Sequence, residues 1–171
     1  MSEERFSIEI KRHSLKFTAC HWILYKDGET QVVEPLHGHT FHVALRMTGP
    51  LDPNGWVADF VQVEQVLQKI VDELEHKILI AKNDPQMEIT EQNGQTEIKI
   101  LQKKWSFPSD DVMIFPYTNM ATEMIAKWVA EKLMQTLQKK NILFYPNDRY
   151  RFQLSLEEET GYFAIYENAG H

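Results

Sequence analysis

Three histidines occupy the positions best suited to chemistry in this 171-residue chain. His37 and His39 are separated by one glycine, in a stretch where apolar and polar residues alternate. Because side chains of a β-strand alternate between its faces, both imidazoles are predicted to project from one face. His21 ends an earlier alternating stretch on its own apolar face. If the two strands are antiparallel neighbours, the imidazoles converge, and three neutral imidazoles around an open position describe a catalytic zinc site.

Spacing alone leaves a second interpretation, in which His37 and His39 are exposed or hydrogen-bonded histidines at the start of a strand. The H-x-H pattern is also used by cupins and by sites like that of carbonic anhydrase. His13, His42 and His171 are predicted to have no metal role. His42 points away from the His39 face, and His171 is the terminal residue.

The elements that must position these side chains are read from hydrophobic periodicity. Strands are expected at residues 15–21 and 37–47, a helix at 59–76, a hairpin around Asn93-Gly94 within 87–107, a helix at 120–139, and a last strand at 150–158. Asn119 is the expected N-cap of the second helix. This order predicts an α+β fold with both helices on one face of an antiparallel sheet.

Composition limits the classes of function. The formal charge of −7 disfavours nucleic acid as the main partner, and the single cysteine excludes an intramolecular disulfide framework. No uncharged apolar run approaches the length of a membrane span, and the acidic N-terminus lacks an apolar signal segment. We expect one cytoplasmic domain over residues 1–171. Free edge strands favour assembly with other copies.

Six ordered segments carry a family resemblance. They are Phe17-Thr18-Ala19-Cys20-His21, Leu36-His37-Gly38-His39-Thr40-Phe41, Gly55-Trp56-Val57-Ala58-Asp59-Phe60, Leu74-Glu75-His76-Lys77-Ile78-Leu79, Ala121-Thr122-Glu123-Met124-Ile125-Ala126, and the stretch 156–166. The chain resembles the 6-pyruvoyl-tetrahydropterin synthase and 6-carboxytetrahydropterin synthase family. The resemblance implies the T-fold: a four-stranded antiparallel sheet with two helices on one face. It also implies homo-oligomers, commonly hexamers of two stacked trimers, with active sites between subunits. A hairpin within residues 89–110 is expected to be an insertion.

The resemblance assigns the catalytic zinc to His21, His37 and His39. The cysteine that serves as general base in many members is replaced here by Val33, and Glu34 is the substitute that the resemblance implies. The E-x-x-H-G-H pattern resembles the type III subgroup, associated with folate synthesis. That subgroup cleaves 7,8-dihydroneopterin triphosphate to 6-hydroxymethyl-7,8-dihydropterin. The alternative for Glu34 is a solvated loop carboxylate. The sole cysteine, Cys20, is expected to be a small buried residue on the opposite strand face.

Five further positions match family residues. Glu75 and His76 match an aspartate–histidine pair that acts in proton transfer, although a histidine at a helix C-terminus is the alternative. Glu158 matches the glutamate that anchors the pterin ring, with Glu157 and Glu159 as competing choices. Thr122 and Glu123 match pterin contacts at the start of the second helix. Asp59 is expected to be a structural helix cap rather than a catalyst.

The first functional prediction is therefore a zinc-dependent pterin lyase that acts on 7,8-dihydroneopterin triphosphate, with Glu34 as the general base. Two alternatives from the same family remain, a 6-pyruvoyl-tetrahydropterin synthase and a 6-carboxytetrahydropterin synthase of the queuosine pathway. A zinc-containing pterin-binding protein with little turnover is a further alternative. A cupin-like metal protein is the least favoured alternative, because cupins need more short strands than this helix-containing chain offers.

Overall fold

The computed structural model describes residues 4–168. His171 lies outside the described residues, as do residues 1–3 of the acidic N-terminus. The strands are β1 (Phe6–His21), β2 (Leu24–Asp27), β3 (Thr30–Val33), β4 (His37–Gly49), β5 (Ile78–Ala81), β6 (Met87–Gln92), β7 (Gln95–Ile100), β8 (Lys103–Pro108), β9 (Val112–Phe115), β10 (Arg151–Glu159) and β11 (Tyr162–Glu167). The two α-helices are α1 (Phe60–Asp72) and α2 (Thr122–Lys139). Within the described range, neither helix has the length and apolarity that a membrane span requires.

The main sheet has six strands in the order β11-β10-β4-β1-β5-β9. The first four are antiparallel, as the family resemblance implied. β5 pairs with β1 in parallel, and β9 pairs with β5 in parallel, so the complete sheet is mixed. Sequence reading missed both strands because each has only four residues and a continuous apolar run, which periodicity cannot distinguish from other buried segments.

One face of the sheet forms the core. The alternating apolar side chains of β1, β4 and β10 are buried there with the apolar faces of α1 and α2. Leu15, Phe17, Phe41 and Leu156 are among the fully buried residues, as alternation predicted. The opposite face of the same strands carries polar residues such as Thr40 and the exposed His42. The two helices therefore lie on one face, and the sheet leaves its other face open.

The helix boundaries correct two sequence-based expectations. Asp59 caps α1 as predicted, because its carboxylate accepts hydrogen bonds from the amides of Val61 and Gln62. α1 ends at Asp72, four residues before the predicted His76. The predicted Asn119 cap of α2 is wrong, because Ala121 occupies the N-cap position without a side-chain hydrogen bond.

Asn119 instead joins the start of α2 to the hairpin of β2 and β3. Its side-chain amide donates to the carbonyl oxygen of Leu24 at 2.8 Å and accepts the amide of Leu24 at 3.0 Å. The side chain thus satisfies main-chain groups of another segment. Asparagine is a residue type that often caps helices, but Asn119 makes a contact with a residue distant in sequence. The residues next to Asn119 give no indication of that contact.

The predicted insertion is a three-stranded sheet, β6-β7-β8, and not a single hairpin. The first turn is confirmed, because Asn93 and Gly94 both have positive φ, 52° and 73°, as a type I′ turn requires. The second turn has Leu101 at φ 49°, and no glycine signals it. The insertion packs through a second apolar cluster in which Trp22 and Trp105 stack at 4.6 Å.

Candidate metal centre and its carboxylates

The pairing of β1 with β4 brings the three histidines together. His21 lies directly opposite His37, and Ala19 lies opposite His39, in the antiparallel register. Adjacent strands and the two-residue spacing therefore place all three imidazoles on the core face at one end of the sheet. One ring nitrogen from each residue lies within 4.8 Å of the other two. This convergence is the geometry that the spacing predicted.

Main-chain carbonyls orient two of the rings. His21 Nδ1 lies 2.8 Å from the carbonyl oxygen of Met120, and His37 Nδ1 lies 2.9 Å from that of Pro35. A carbonyl only accepts, so each Nδ1 carries the proton and donates it. Each Nε2 is left with its lone pair, as a metal ligand requires. Outer hydrogen bonds of this kind hold metal-binding histidines in most proteins.

The buried state of His21 shows that the group suits a cation. Its side chain is fully buried, and its Nε2 has no hydrogen-bond partner. Burial lowers the pKa of His21, and the neighbouring His37 and His39 lower it further, whereas the Met120 bond and Glu158 raise it. The neutral imidazole, which is the ligand form, is thereby favoured. The unprotonated Nε2 makes no hydrogen bond and faces the Glu158 carboxylate at 3.2 Å, so two groups with lone pairs lie close together, and a bound metal ion such as zinc would supply the positive charge between them.

Glu158 reaches this centre from β10. Its Oε1 lies 3.2 Å from His21 Nε2 and 3.6 Å from His39 Nε2. An irregularity in the β10–β11 pairing between Glu157 and Glu159 accompanies this orientation. Glu159 Oε1 lies 3.7 Å from the other nitrogen of His39, whereas Glu157 accepts the amide of Gly161. Glu158 is thus the glutamate that faces the Nε2 atoms of His21 and His39, and Glu159 approaches Nδ1 of His39.

Glu34 lies beside His37, on the Nδ1 side of the imidazole ring. Its Oε2 is 3.7 Å from His37 Nδ1, the nitrogen that already donates to Pro35. Although 35% of the side chain is exposed, Oε2 itself is buried and has no hydrogen-bond partner. The carboxylate therefore lies beside His37, and its Oε2 makes no hydrogen bond there.

Glu75 and His76 form a pair, but not beside the three imidazoles. His76 Nε2 lies 3.2 Å from Glu75 Oε1, and Glu75 Oε2 accepts the amide of Thr18 at 2.7 Å. His76 has φ 59° and an 80% exposed side chain. A non-glycine residue with positive φ is uncommon and is often retained for function. Within the described residues, the imidazole of His76 contacts Glu75 and faces solvent.

The start of α2 lies beside the centre. Met120, whose carbonyl binds His21, precedes Thr122 by two residues. Thr122 is 6% exposed, and its hydroxyl oxygen has no partner. Glu123 is exposed. The structure therefore brings Thr122 into the neighbourhood of the centre and leaves Glu123 on its surface.

Cys20 is half-buried, so the prediction of a buried cysteine is wrong, although it does lie on the face opposite His21. A side chain at Gly38 would approach Cys20 Sγ to 3.1 Å. The close approach of the partner strand therefore favours glycine at this position. His13 and His42 are exposed and lie outside the group of three.

Sequence reasoning missed two contributors to the centre. The Met120 carbonyl that orients His21 carries no residue-type signal, because every residue has one. Lys103 of the insertion donates to the main-chain oxygens of Val33 and Glu34. Alternation in β8 places Lys103 on the half-buried face of Trp105 and Phe107 and Lys104 on the exposed face, but only the tertiary contact identifies the carbonyls that Lys103 binds.

Comparisons with known proteins agree with this architecture. A model of the family described as 6-pyruvoyl tetrahydropterin synthase matches residues 9–168. A Methanocaldococcus jannaschii protein provisionally named 6-carboxy-5,6,7,8-tetrahydropterin synthase is 26% identical over 153 residues, which are 89% of each chain.

Among solved structures, the fold is similar to that of a Plasmodium vivax 6-pyruvoyltetrahydropterin synthase in which a catalytic glutamate is replaced by alanine. The TM-score is 0.83 at 21% identity, covering 97% of this chain and 99% of that one. The Plasmodium falciparum 6-pyruvoyl tetrahydropterin synthase gives a TM-score of 0.82, also at 21% identity, with the same coverage. The predicted T-fold is thereby confirmed.

Proposed function

The chain belongs to the 6-pyruvoyl tetrahydropterin synthase family, and from this premise we propose that it is a zinc-dependent lyase of 7,8-dihydroneopterin triphosphate. The coarser statement, a pterin-processing enzyme of lyase type, follows from the family. The proposed product is 6-hydroxymethyl-7,8-dihydropterin, a precursor in folate synthesis. A reducing, cytoplasmic setting suits the single free cysteine, Cys20.

The observation that carries the metal part of the proposal is the buried Nε2 of His21, which makes no hydrogen bond and lies beside two further imidazoles and the Glu158 carboxylate. His21, His37 and His39 would hold the ion, in the three-histidine set that leaves a position open for substrate. Bound zinc would supply Lewis-acid polarisation of the vicinal hydroxyls on the substrate side chain.

Glu34 is the proposed general base. Its buried Oε2 has no hydrogen-bond partner, and the carboxylate lies beside His37. Val33 occupies the place where a cysteine base would fall, and its side chain has no proton to exchange. Support also comes from the Plasmodium vivax enzyme, in which a glutamate is a catalytic residue.

The proposed cleavage is a retro-aldol step. Glu34 takes the proton of the outer hydroxyl, whose oxygen becomes an aldehyde as the bond between the two hydroxyl-bearing carbons breaks. The electron pair remains on the carbon attached to the pterin. That carbon takes a proton, which yields the hydroxymethyl group and releases an aldehyde that carries the triphosphate. The Glu75–His76 pair is the proposed proton carrier.

The pterin ring is assigned to residues around the centre. Glu158, on β10, is the proposed anchor, because a carboxylate can accept paired hydrogen bonds from a ring amino group and its neighbouring N–H. The buried, unpartnered hydroxyl of Thr122 is a second proposed contact. Glu123 completes the set from the surface of the same helix turn.

We propose that the complete active site forms between copies of this chain in a homo-oligomer. His76 faces solvent and does not contact the three imidazoles of its own chain. A second copy that presents His76 to the centre would join the acid–base pair with the metal site. This arrangement fits the homo-oligomer that the resemblance implies, a hexamer of two trimers.

Two alternatives differ from this proposal in the pterin that they release. The Methanocaldococcus jannaschii relative favours 6-carboxytetrahydropterin synthase activity of the queuosine pathway as the second candidate. A zinc-containing pterin-binding protein would return its ligand unchanged.

Product identification tests the proposal. Zinc-loaded protein is incubated with 7,8-dihydroneopterin triphosphate, and the pterins are separated by chromatography and identified by mass spectrometry. A 6-hydroxymethyl product supports the proposal. A 6-pyruvoyl product, a 6-carboxy product with acetaldehyde, or unchanged substrate would each replace it with the corresponding alternative.

A further inference from the structure

Lys103, the first residue of β8, connects the insertion to the segment that carries Glu34. Its Nζ donates to the carbonyl oxygen of Val33 at 2.7 Å and to that of Glu34 at 3.1 Å. Both hydrogen bonds are charge-assisted, and such bonds are stronger than those between neutral groups. Two consecutive main-chain oxygens of the segment are therefore held by one ammonium group.

The side chain of Lys103 lies beside a stacked pair of tryptophan rings. Its Nζ lies 5.9 Å from the centre of the Trp105 ring, and Trp105 stacks on the buried Trp22 at 4.6 Å. The second apolar cluster surrounds this stack with residues of β5, β7 and the β2–β3 hairpin. Its buried members are Trp22, Val33, Ile80, Ile98 and Ile100. The insertion is thus fixed to the body of the protein on the side from which Lys103 reaches the segment.

The segment between β3 and β4 is short and is held from both sides. The amide of Glu34 donates to the carbonyl oxygen of Ile23 at 3.0 Å, and its own carbonyl accepts from Lys103. In contrast, Oε2 of the Glu34 carboxylate makes no hydrogen bond, and it lies 3.7 Å from His37 Nδ1. Its place beside His37 therefore depends on where the main chain of residue 34 is held.

We propose that Lys103 is a positioning residue for Glu34, and that the insertion acts as the scaffold of the base. This inference rests on the proposed function in one respect, the role of Glu34 as base. It assigns to the three-stranded insertion a contribution to the reaction, although none of its side chains is placed in the metal centre.

Lys104 provides a matched control. It is the next residue of the same strand, it is exposed, and it pairs with Glu97 of β7 at 3.0 Å. Removing its charge changes the insertion's net charge as much as removing that of Lys103 does. It leaves the carbonyls of Val33 and Glu34 untouched.

The experiment compares Lys103→Met, Lys103→Arg and Lys104→Met with the parent protein. Hydrogen–deuterium exchange follows the amides of residues 31–37, bound zinc is measured by elemental analysis, and kcat and KM are measured with 7,8-dihydroneopterin triphosphate. In Lys103→Met we expect exchange at the Glu34 amide to rise by about tenfold, because its local opening is no longer opposed by the lysine. We expect kcat to fall roughly tenfold to a hundredfold, since a small misplacement of a catalytic group is that costly. KM and zinc content should stay at the parent values.

The control variants distinguish a positioning role of Lys103 from a general effect on the stability of the protein. Lys103→Arg should restore much of kcat, because a guanidinium can donate to both carbonyls. Lys104→Met should match the parent in exchange and in kcat. Unchanged exchange in Lys103→Met would overturn the inference, as would equal effects of Lys103→Met and Lys104→Met. Raised exchange with parental kcat would also overturn it.

Failure of the proposed function is a separate result. A parent protein that converts no pterin refutes the lyase proposal. Exchange at residues 31–37 still reports whether Lys103 holds the segment.

Discussion

The Nδ1 atom of His21 lies 2.8 Å from the carbonyl oxygen of Met120, two residues before α2 begins. This bond crosses from the end of β1 to the start of a helix that follows it by about a hundred residues in the chain. It fixes the protonated nitrogen of a buried imidazole and turns the other nitrogen toward His37 and His39. The metal centre is thus tied to the packing of α2 on the sheet.

The first prediction concerns zinc content. His37→Ala removes one of three proposed ligands, so zinc should be lost on dialysis against a weak chelator. His42→Ala should retain the parental zinc content, because His42 is exposed on the other face of the same strand. Elemental analysis of both purified variants makes the comparison. Full zinc retention in His37→Ala would contradict the assignment of the centre.

The second prediction concerns the Glu75–His76 pair. Glu75→Gln keeps an oxygen that can accept the Thr18 amide but removes the charge beside His76. We expect kcat to fall by about a hundredfold, as is common when a proton-transfer group is impaired. His76→Gln should have a similar effect, and the double variant should be little worse than either single variant, because the two residues act as a unit.

Steady-state kinetics of the four proteins provides this test, with zinc content measured alongside. Additive losses of kcat would show that the two residues act independently. Parental kcat in His76→Gln would remove His76 from the reaction.

The third prediction concerns assembly. His37→Ala should be inactive and His76→Ala should lose most of its activity, for different reasons. If one copy supplies the metal centre and another supplies His76, random mixed oligomers should recover about a quarter of the sites. The two variants are co-expressed with different affinity tags, purified through both tags, and assayed. A mixed oligomer with no activity would place each complete site within one chain.

Much of the site could be predicted from the sequence because it depends on alternation. The two-residue period places His37 and His39 on one face, and pairing with β1 brings His21 beside them. The same alternation predicted the buried faces of β1, β4 and β10. Strands β5 and β9 could not be predicted in this way, because four apolar residues carry no period.

Contacts through the main chain were also beyond sequence reading. The carbonyls of Met120 and Pro35 orient imidazoles, yet any residue type supplies a carbonyl. Asn119 has the residue type of a helix cap, but its amide pairs with Leu24 instead. In both cases the tertiary arrangement decides which partner a polar group finds, so local pattern alone is insufficient.

The fourth prediction concerns the cap of α1. Asp59→Ala removes the acceptor for the amides of Val61 and Gln62, so the midpoint of thermal unfolding should fall by a few degrees. Asp59→Asn should remain near the parent, because asparagine caps helices as well as aspartate does. Differential scanning calorimetry measures both. A parental midpoint in Asp59→Ala would show that the cap contributes nothing.

The same cap has a defined pH dependence. Hydrogen bonds from the side chain and amide of Gln62, and from the amide of Val61, hold the pKa of Asp59 below its ordinary value of 3.8. A carboxyl whose folded pKa is depressed contributes stability above its unfolded pKa and loses it as the pH falls through the folded pKa. The difference in midpoint between the parent and Asp59→Ala should therefore be present at neutral pH and shrink below about pH 4.

The most direct test of the central claim is the product formed by the parent and by Glu34→Gln, each loaded with zinc and incubated with 7,8-dihydroneopterin triphosphate. Glutamine has nearly the shape of glutamate but cannot take the hydroxyl proton. Mass spectrometry should find 6-hydroxymethyl-7,8-dihydropterin with the parent and at least about a hundredfold less with Glu34→Gln, at equal zinc content. Undiminished turnover in Glu34→Gln, or a different pterin from the parent, would contradict the account.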